Sequence, residues 1–350
     1  MPIFKRKERD GVLINLTDHS VQLARLPRFD RRPQVMESLV ELPAGDTAAA
    51  ARWLDENFKD RGGSYLPAFC GFHPADRILE HETVNGRRMG ERDYVPGLFA
   101  QRVKTATADA WEFAVLDAAR GLPLAADNSL HPALLFGVPY SEIRETQERL
   151  RRLGIRPRRL ELGTLALLGG LSQYQALTGF PHLVAACEIA RTQTRLFILG
   201  KDGVHTPLSL PHGLLSVDEA AMKAFGTPDV AAARRRLEEP NEEVTSHSRR
   251  LVRILSRHLR PAIDYFEMQT GQRVGALFSA HLPSRLGWLE QALAAAVDLE
   301  YLTPDLGAWL PVAGLQVDGA QSLGPSWFQA LCVVAQLAPA QGAPPDAKNP

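Results

Sequence analysis

Residues 13–26 read Leu13-Ile14-Asn15-Leu16-Thr17-Asp18-His19-Ser20-Val21-Gln22-Leu23-Ala24-Arg25-Leu26, with apolar positions 14, 16, 21, 23 and 26 on either side of a short polar break. Alternation of period two around a break at Thr17 to Ser20 predicts two antiparallel strands joined by a tight turn. Working outward, residues 34–42 alternate well enough for a third strand. Residues 47–58 carry Ala50, Ala51, Trp53, Leu54 and Phe58 at helical spacing, with Thr47 as the expected N-cap. After Gly62-Gly63, an apolar strand is expected at 65–72.

Strands are expected at 77–84, 111–116 and 131–138, around a weakly patterned middle. An amphipathic helix follows at 141–153, with Ile143, Leu150 and Leu153 on one face and Gly154 at its stop. A strand at 158–162 leads into an apolar helix at 164–177. A second hairpin pair is expected over 182–199 and 204–210, turning at Lys201-Asp202-Gly203. Ser216 with Glu219 reads as a capping box. An Arg/Glu-rich helix at 226–241 should stop at Pro240. A longer helical pattern at 244–269 should bend at Pro261 and close at Gly271. A strand at 274–279, a helix at 286–297, a buried strand at 298–302 and a final helix at 327–337 complete the reading. The Ala/Pro/Gln/Gly/Asp tail, 339–350, is expected to be disordered.

Composition narrows the function. A chain of 350 residues suggests two or three domains. Lys plus Arg equals Asp plus Glu at 40 each, so no global field favours nucleic acid or an anionic membrane. Cys70, Cys187 and Cys332 are too far apart for metal spacing or a disulfide framework, which fits a reducing compartment. The apolar runs fall short of the ~20 residues of a spanning helix. Basic Lys5, Arg6 and Lys7 are followed by Glu8, Arg9 and Asp10 where a signal peptide needs its apolar core. They read as a solvated tail or a weak lipid contact. Arg151, Arg152, Arg156, Arg158 and Arg159 read as a solvated helix end or a contact for an acidic partner. The ten His show no close ligand spacing, and no phosphate-loop or nucleophile-elbow pattern occurs. No catalytic residue and no metal ligand set is expected.

The order strand, strand, strand, helix, strand, and the 13–26 hairpin in particular, resembles the start of actin-like ATPases, above all the PilM family of type IV pilus assembly proteins. There the hairpin reads roughly G-I-D-I-G-S-S-S-V-K-V-V-E-L. Residues 133–140 (ALLFGVPY), the helix after them and 153–162 (LGIRPRRLEL) resemble a subdomain that PilM and FtsA insert and actin lacks. The resemblance implies a two-lobed α/β actin-like (RNase H-like, duplicated) fold with a PilM/FtsA-type insertion. Lobe one would take 1–75 and the linking helix 163–181, the insertion 76–162, lobe two 182–310, and a C-terminal segment 311–338.

Such an ATPase cradles phosphates between two glycine turns whose N–H groups approach closely, with carboxylates holding Mg²⁺ through water. Within the resemblance, Asn15 stands at the metal-side Asp, Thr17 at the turn Gly and Gln22 at a Lys. Ser20 matches a Ser, and Asp18 would repel a phosphate. The second hairpin, 187–194, sets Glu188 at the family Asp and Ala190 at its Gly. Arg191 is new there, and Thr192 and Thr194 complete the loop. Arg191 could replace lost phosphate contacts or pair with Asp18 or Glu188. The third motif, L-S-G-G-G-A in the family, keeps Ser279 but has Ala280 and His281 for glycines, and His281 would fill space that an adenine or ribose needs. The family's ATP and Mg²⁺ are therefore not expected to be used, and the chain reads as a pseudo-ATPase.

The resemblance further implies a cytoplasmic scaffold, held at the inner membrane through partners. It would bind the N-terminal cytoplasmic tail of a PilN-like inner-membrane protein and contact an assembly ATPase, with no nucleic-acid partner. The alternatives are a platform component of a type II secretion-like system and an active ATP-binding actin-like protein.

Overall fold

The computed structural model describes residues 10–29, 31–59, 65–102, 110–119, 121–124, 127, 129–205, 208–239, 241–319 and 323–335. The hairpin forms as expected: β1 (Gly11–Leu16) pairs antiparallel with β2 (Ser20–Leu26), with Asn15 opposite Gln22 and Leu16 opposite Val21. Period two places Val12, Ile14, Leu16, Val21 and Leu23 in one core, while Leu13, Ala24 and Leu26 enter another. Every residue of β1 is buried because the sheet is covered on both faces.

The first sheet also holds β3 (Gln34–Pro43) and β4 (Leu66–Phe72), with α1 (Thr47–Asn57) between them. The cap of α1 is Asp46, not Thr47: its carboxylate accepts from Ala49 N at 2.9 Å, the acceptor an N-terminal turn prefers. β4 runs parallel to β1. The chain then makes an antiparallel three-stranded sheet from β5 (Ile78–Asn85), β6 (Trp111–Asp117) and β7 (Leu130–Pro139), with β7 central. A helix, α2 (Tyr94–Arg102), lies in the weakly patterned middle, where Pro96 and Gly97 obscure its period. After α3 (Tyr140–Arg152), β8 (Ile155–Leu162) returns to the first sheet, parallel to β4. The mostly apolar α4 (Gly163–Thr178) then runs beneath both lobes, with Leu167, Leu171 and Tyr174 in the core that they share.

The second sheet is built on β9 (Leu183–Ile189), antiparallel to β10 (Thr194–Gly200) and parallel to β13 (Val274–Ala280). Short strands β11 (Gly203–Val204), β12 (Leu208–Leu210) and β14 (Glu300–Tyr301) extend it. Helices α5 (Leu214–Phe225), α6 (Val230–Leu237), α7 (Glu242–Leu251), α8 (Arg253–Thr270) and α9 (Gly287–Ala296) complete the lobe. Ser216 and Glu219 form no capping box. α5 starts at Leu214, and the carbonyls of Ala190 and Arg191 accept its first N–H groups at 2.9 Å. Gly213 permits this: a Cβ there would lie 2.3 Å from Ala190 O. The 244–269 pattern breaks at Val252, and Pro261 lies inside α8.

Two further elements carry no strong sequence signal: α10 (Leu306–Val312) and β15 (Leu315–Val317). β15 pairs parallel with β3, so the chain re-enters the first sheet after completing the second. The last helix, α11 (Trp327–Cys332), packs against α4, with the Phe328 ring 4.7 Å from Trp309. No described helix is long and apolar enough to cross a membrane. The basic segment Lys5–Arg6–Lys7, the Gly62-Gly63 break, the Pro240 stop and the 339–350 tail lie outside the described residues.

Candidate functional site

In open α/β sheets the carboxyl ends of parallel strands leave a crevice where ligands bind. Here two sheets aim such ends at each other. β1 and β4 present Asn15, Thr17 and His73; β9 and β13, in register at Glu188 and Ala280, present Glu188, Ser279, Ala280 and His281. The three motifs singled out in the sequence therefore do converge, and each is occupied by the chain's own side chains.

At the first turn, Thr17 Oγ1 accepts from Ser20 N at 3.0 Å and His19 N at 3.3 Å. A threonine hydroxyl thus takes the amides that a glycine turn offers to phosphate. Asn15 is fully buried, and its amide donates to Gln22 Oε1 at 3.0 Å. Gln22 in turn donates to Ser326 O at 3.1 Å, so this carboxamide pair is tied to the chain before α11. At the second turn, Arg191 N donates to Asp18 Oδ2 at 3.1 Å. A carboxylate of the first turn thereby occupies the anion position of the second. Thr194 is buried and donates to His212 O at 2.7 Å, whereas Thr192 is exposed.

Glu188 does not pair with Arg191. Its Oε2 is gripped by the guanidinium of Arg77, a residue between β4 and β5 that also donates to Pro74 O at 2.6 Å. Its Oε1 faces His281 Nε2 at 3.4 Å and His73 Nδ1 at 4.0 Å, all at 0–2% side-chain exposure. Burial opposes the charge on Glu188, but Arg77 above all, with the His281 imidazole, outweighs it and holds the carboxyl well below its ordinary range. Burial, reinforced by neighbouring His281, holds His73 well below the ordinary histidine range, so it is neutral. The rings of His73 and His281 meet edge to face at 4.0 Å. Gly163 makes room for His73, since a Cβ there would lie 2.0 Å from the ring. His281 sits at φ +70, a left-handed conformation unusual for a non-glycine residue, at a position where the family resemblance has glycine. Gln329 of α11 accepts from His281 N at 2.9 Å and places its amide nitrogen 2.7 Å from His73 Nε2. Ser279 and Ala280 are buried behind this cluster.

His73, Arg77 and Gln329 were not legible as site residues. The available signal was position: His73 follows β4 directly, and β4 lies beside β1 in any actin-like frame.

A Mg²⁺–nucleotide does not fit these donors as they stand. Asn15 offers an amide already committed to Gln22, Glu188 is committed to Arg77, and the turn amides hold Thr17 Oγ1 and Asp18.

Two sheets built alike, each with an antiparallel hairpin and a parallel partner, joined by a helix beneath a cleft, define an actin-like ATPase fold. The form is that seen in PilM. A structure described as a PilM–PilN type IV pilus biogenesis complex matches at TM-score 0.68 and 18% identity, covering 94% of this chain and 98% of that one. A Bacteroides thetaiotaomicron protein with an actin-like ATPase fold and unknown function matches at 0.45 and 9%, covering 96% and 100%. The cytoplasmic domain of EpsL, an inner membrane component of the type II secretion system of Vibrio cholerae, matches at 0.38 and 10%, covering 82% and 94%. The last two scores add nothing to the assignment. No protein-family model matches the sequence, and no curated protein matches it significantly.

Proposed function

We propose that this chain is a cytoplasmic scaffold of a type IV pilus or related assembly machine, held at the inner membrane through its partners, and that it does not turn over ATP. The observation that carries the second half is the self-occupied cleft, in which Asp18 caps the Arg191 amide and Arg77 neutralises Glu188. A charged ligand would have to displace the exposed Asp18 carboxylate and meet the buried, already paired Arg77 and Glu188 before gaining contacts of its own. The first half rests on the likeness to a PilM–PilN complex over nearly the whole chain. That likeness supports a PilN-like partner, and the contact we propose is its short N-terminal cytoplasmic tail, held as an extended peptide through backbone hydrogen bonds and side-chain pockets. Contact with an assembly ATPase belongs to the same reading.

Calorimetry on the purified chain with millimolar Mg²⁺–ATP, Mg²⁺–ADP or a non-hydrolysable analogue should give no binding heat. A tagged chain should retain a PilN-like tail peptide and not its scrambled sequence. Micromolar nucleotide binding would overturn the pseudo-ATPase reading and favour an active actin-like ATPase. Failure to retain any such tail would remove the scaffold assignment.

A further inference from the structure

Three ligand-type atoms of the cleft converge without a hydrogen-bond partner among the described residues: Glu188 Oε1, His73 Nδ1 and His281 Nε2. The side chains that carry them are 0–2% exposed. Buried polar atoms are nearly always paired, so three orphans facing one point call for an explanation. The carboxylate oxygen lies 3.4 Å from one imidazole nitrogen and 4.0 Å from the other. One ligand atom from each residue fits within a mutual separation of 4.8 Å. Bonds of roughly 2.0–2.2 Å at a tetrahedral angle set ligand atoms about 3.4 Å apart, the separation that Glu188 Oε1 and His281 Nε2 already have, so the remaining pairs need to close by about 0.6 Å and by no more than about 1.4 Å.

We propose that His73, Glu188 and His281 form a binding site for a divalent first-row transition metal ion, with Zn²⁺ the best match. Two imidazoles and one carboxylate suit Zn²⁺ better than the all-oxygen sets that Mg²⁺ and Ca²⁺ require. Three protein ligands leave a fourth position for water or a small anion.

The surroundings orient all three ligands. Arg77 holds the other oxygen of Glu188, which turns Oε1 toward the imidazoles. Gln329 fixes the backbone of His281, and Gly163 leaves the space that His73 fills. Asn15 presents Oδ1 at 3.3 Å from His73 Nε2, because its own amide is spent on Gln22. A carboxamide oxygen behind a ligating histidine is the outer-shell partner that sets its tautomer. Without metal, the 2.7 Å contact from Gln329 favours the proton on Nδ1. Metal at Nδ1 would require that proton on Nε2, where Asn15 Oδ1 accepts it and the Gln329 amide nitrogen, itself a donor 2.7 Å away, must turn aside. Since His73 belongs to the first lobe and Glu188 and His281 to the second, the ion would bridge the lobes. Its sequence signal is invisible because the ligands come from three distant segments.

The test is titration of the chelator-treated full chain with Co²⁺ and, separately, Zn²⁺, without nucleotide or peptide, so its outcome does not bear on the scaffold reading. The expected result is one equivalent of Co²⁺ with the visible absorption of a four- or five-coordinate ion, displaced by one equivalent of Zn²⁺. His281→Gly, which also relieves the left-handed backbone, and His73→Gln should each weaken binding at least tenfold with an unchanged far-ultraviolet dichroism spectrum. Absence of stoichiometric binding by the folded wild-type chain overturns the proposal, and needs no variant to be interpreted. Undiminished binding by the doubly substituted chain overturns it as well.

Discussion

Arg77→Ala tests the closed cleft most directly. The substitution removes the guanidinium from a fully buried Glu188 and deletes the 2.6 Å bond to Pro74 O. Breaking a buried ion pair from one side costs about 3–5 kcal/mol, since the remaining charge stays uncompensated. Against a typical total of about 5–15 kcal/mol this is a large fraction. The pH dependence should also invert. In the wild type Glu188 is depressed, so its contribution is present above the ordinary carboxylate pKa and is lost only as pH falls below it. Without Arg77, burial dominates and raises the folded pKa. The variant then becomes relatively more stable as pH falls from 7 toward 5, by up to about 1.4 kcal/mol per unit, because the folded state takes up the proton. Arg77→Met combined with Glu188→Gln should recover most of the loss, a neutral pair often replacing a buried ionic one at little cost. Denaturant unfolding followed by dichroism and tryptophan fluorescence at pH 5, 6 and 7 measures all three. A cost below about 1 kcal/mol for Arg77→Ala, or a pH slope equal to wild type, would refute the buried pair.

Further expectations concern the turns, the core and pH. Thr17→Gly with Ala190→Gly should leave nucleotide binding undetectable by calorimetry, because Asp18, Arg77 and His281 still occupy the cleft. Gly163→Ala should lower the melting temperature, since its methyl would meet the His73 ring at 2.0 Å and moving that ring breaks its contacts with His281, Asn15 and Gln329. Burial pushes Glu290 up to about 8, so the folded state keeps a proton that the unfolded chain loses near the ordinary value. Stability from this group is full below that value and is lost as pH rises through 8; Glu290→Gln should flatten the slope measured between pH 5 and 9. His19 is lowered to about 4 by burial, with Arg234 adding, and carries the opposite sign. Its stabilisation is present above pH 6.5 and drains away toward pH 4, which melting curves at pH 7, 5.5 and 4.5 resolve.

Strand and helix periods are local, so most elements were legible from spacing alone: the 13–26 hairpin, the Ser141–Leu153 amphipathic pattern, the apolar α4. What failed locally did so for tertiary reasons. Ser216 and Glu219 have the form of a capping box, yet the carbonyls of the 190–191 turn had already taken the helix's first N–H groups. β15 is three residues long, and only pairing with β3 makes it a strand. The loss of glycine at Thr17, Ala190 and His281 was visible in the sequence, and so was the expectation of a self-blocked cleft. How the space is filled was not. Arg191, the cation that stood out by its motif, contributes its backbone amide. The cation that meets Glu188 is Arg77, 111 positions away, and the amide that meets His73 comes from Gln329, 256 positions away. The sequence by itself determined the frame, because burying alternate side chains on two covered sheets needs only the apolar pattern. Only the tertiary structure decided the partners inside the cleft, because a buried charge or lone pair must be met by whichever group the fold brings within about 3 Å, whatever its distance along the chain.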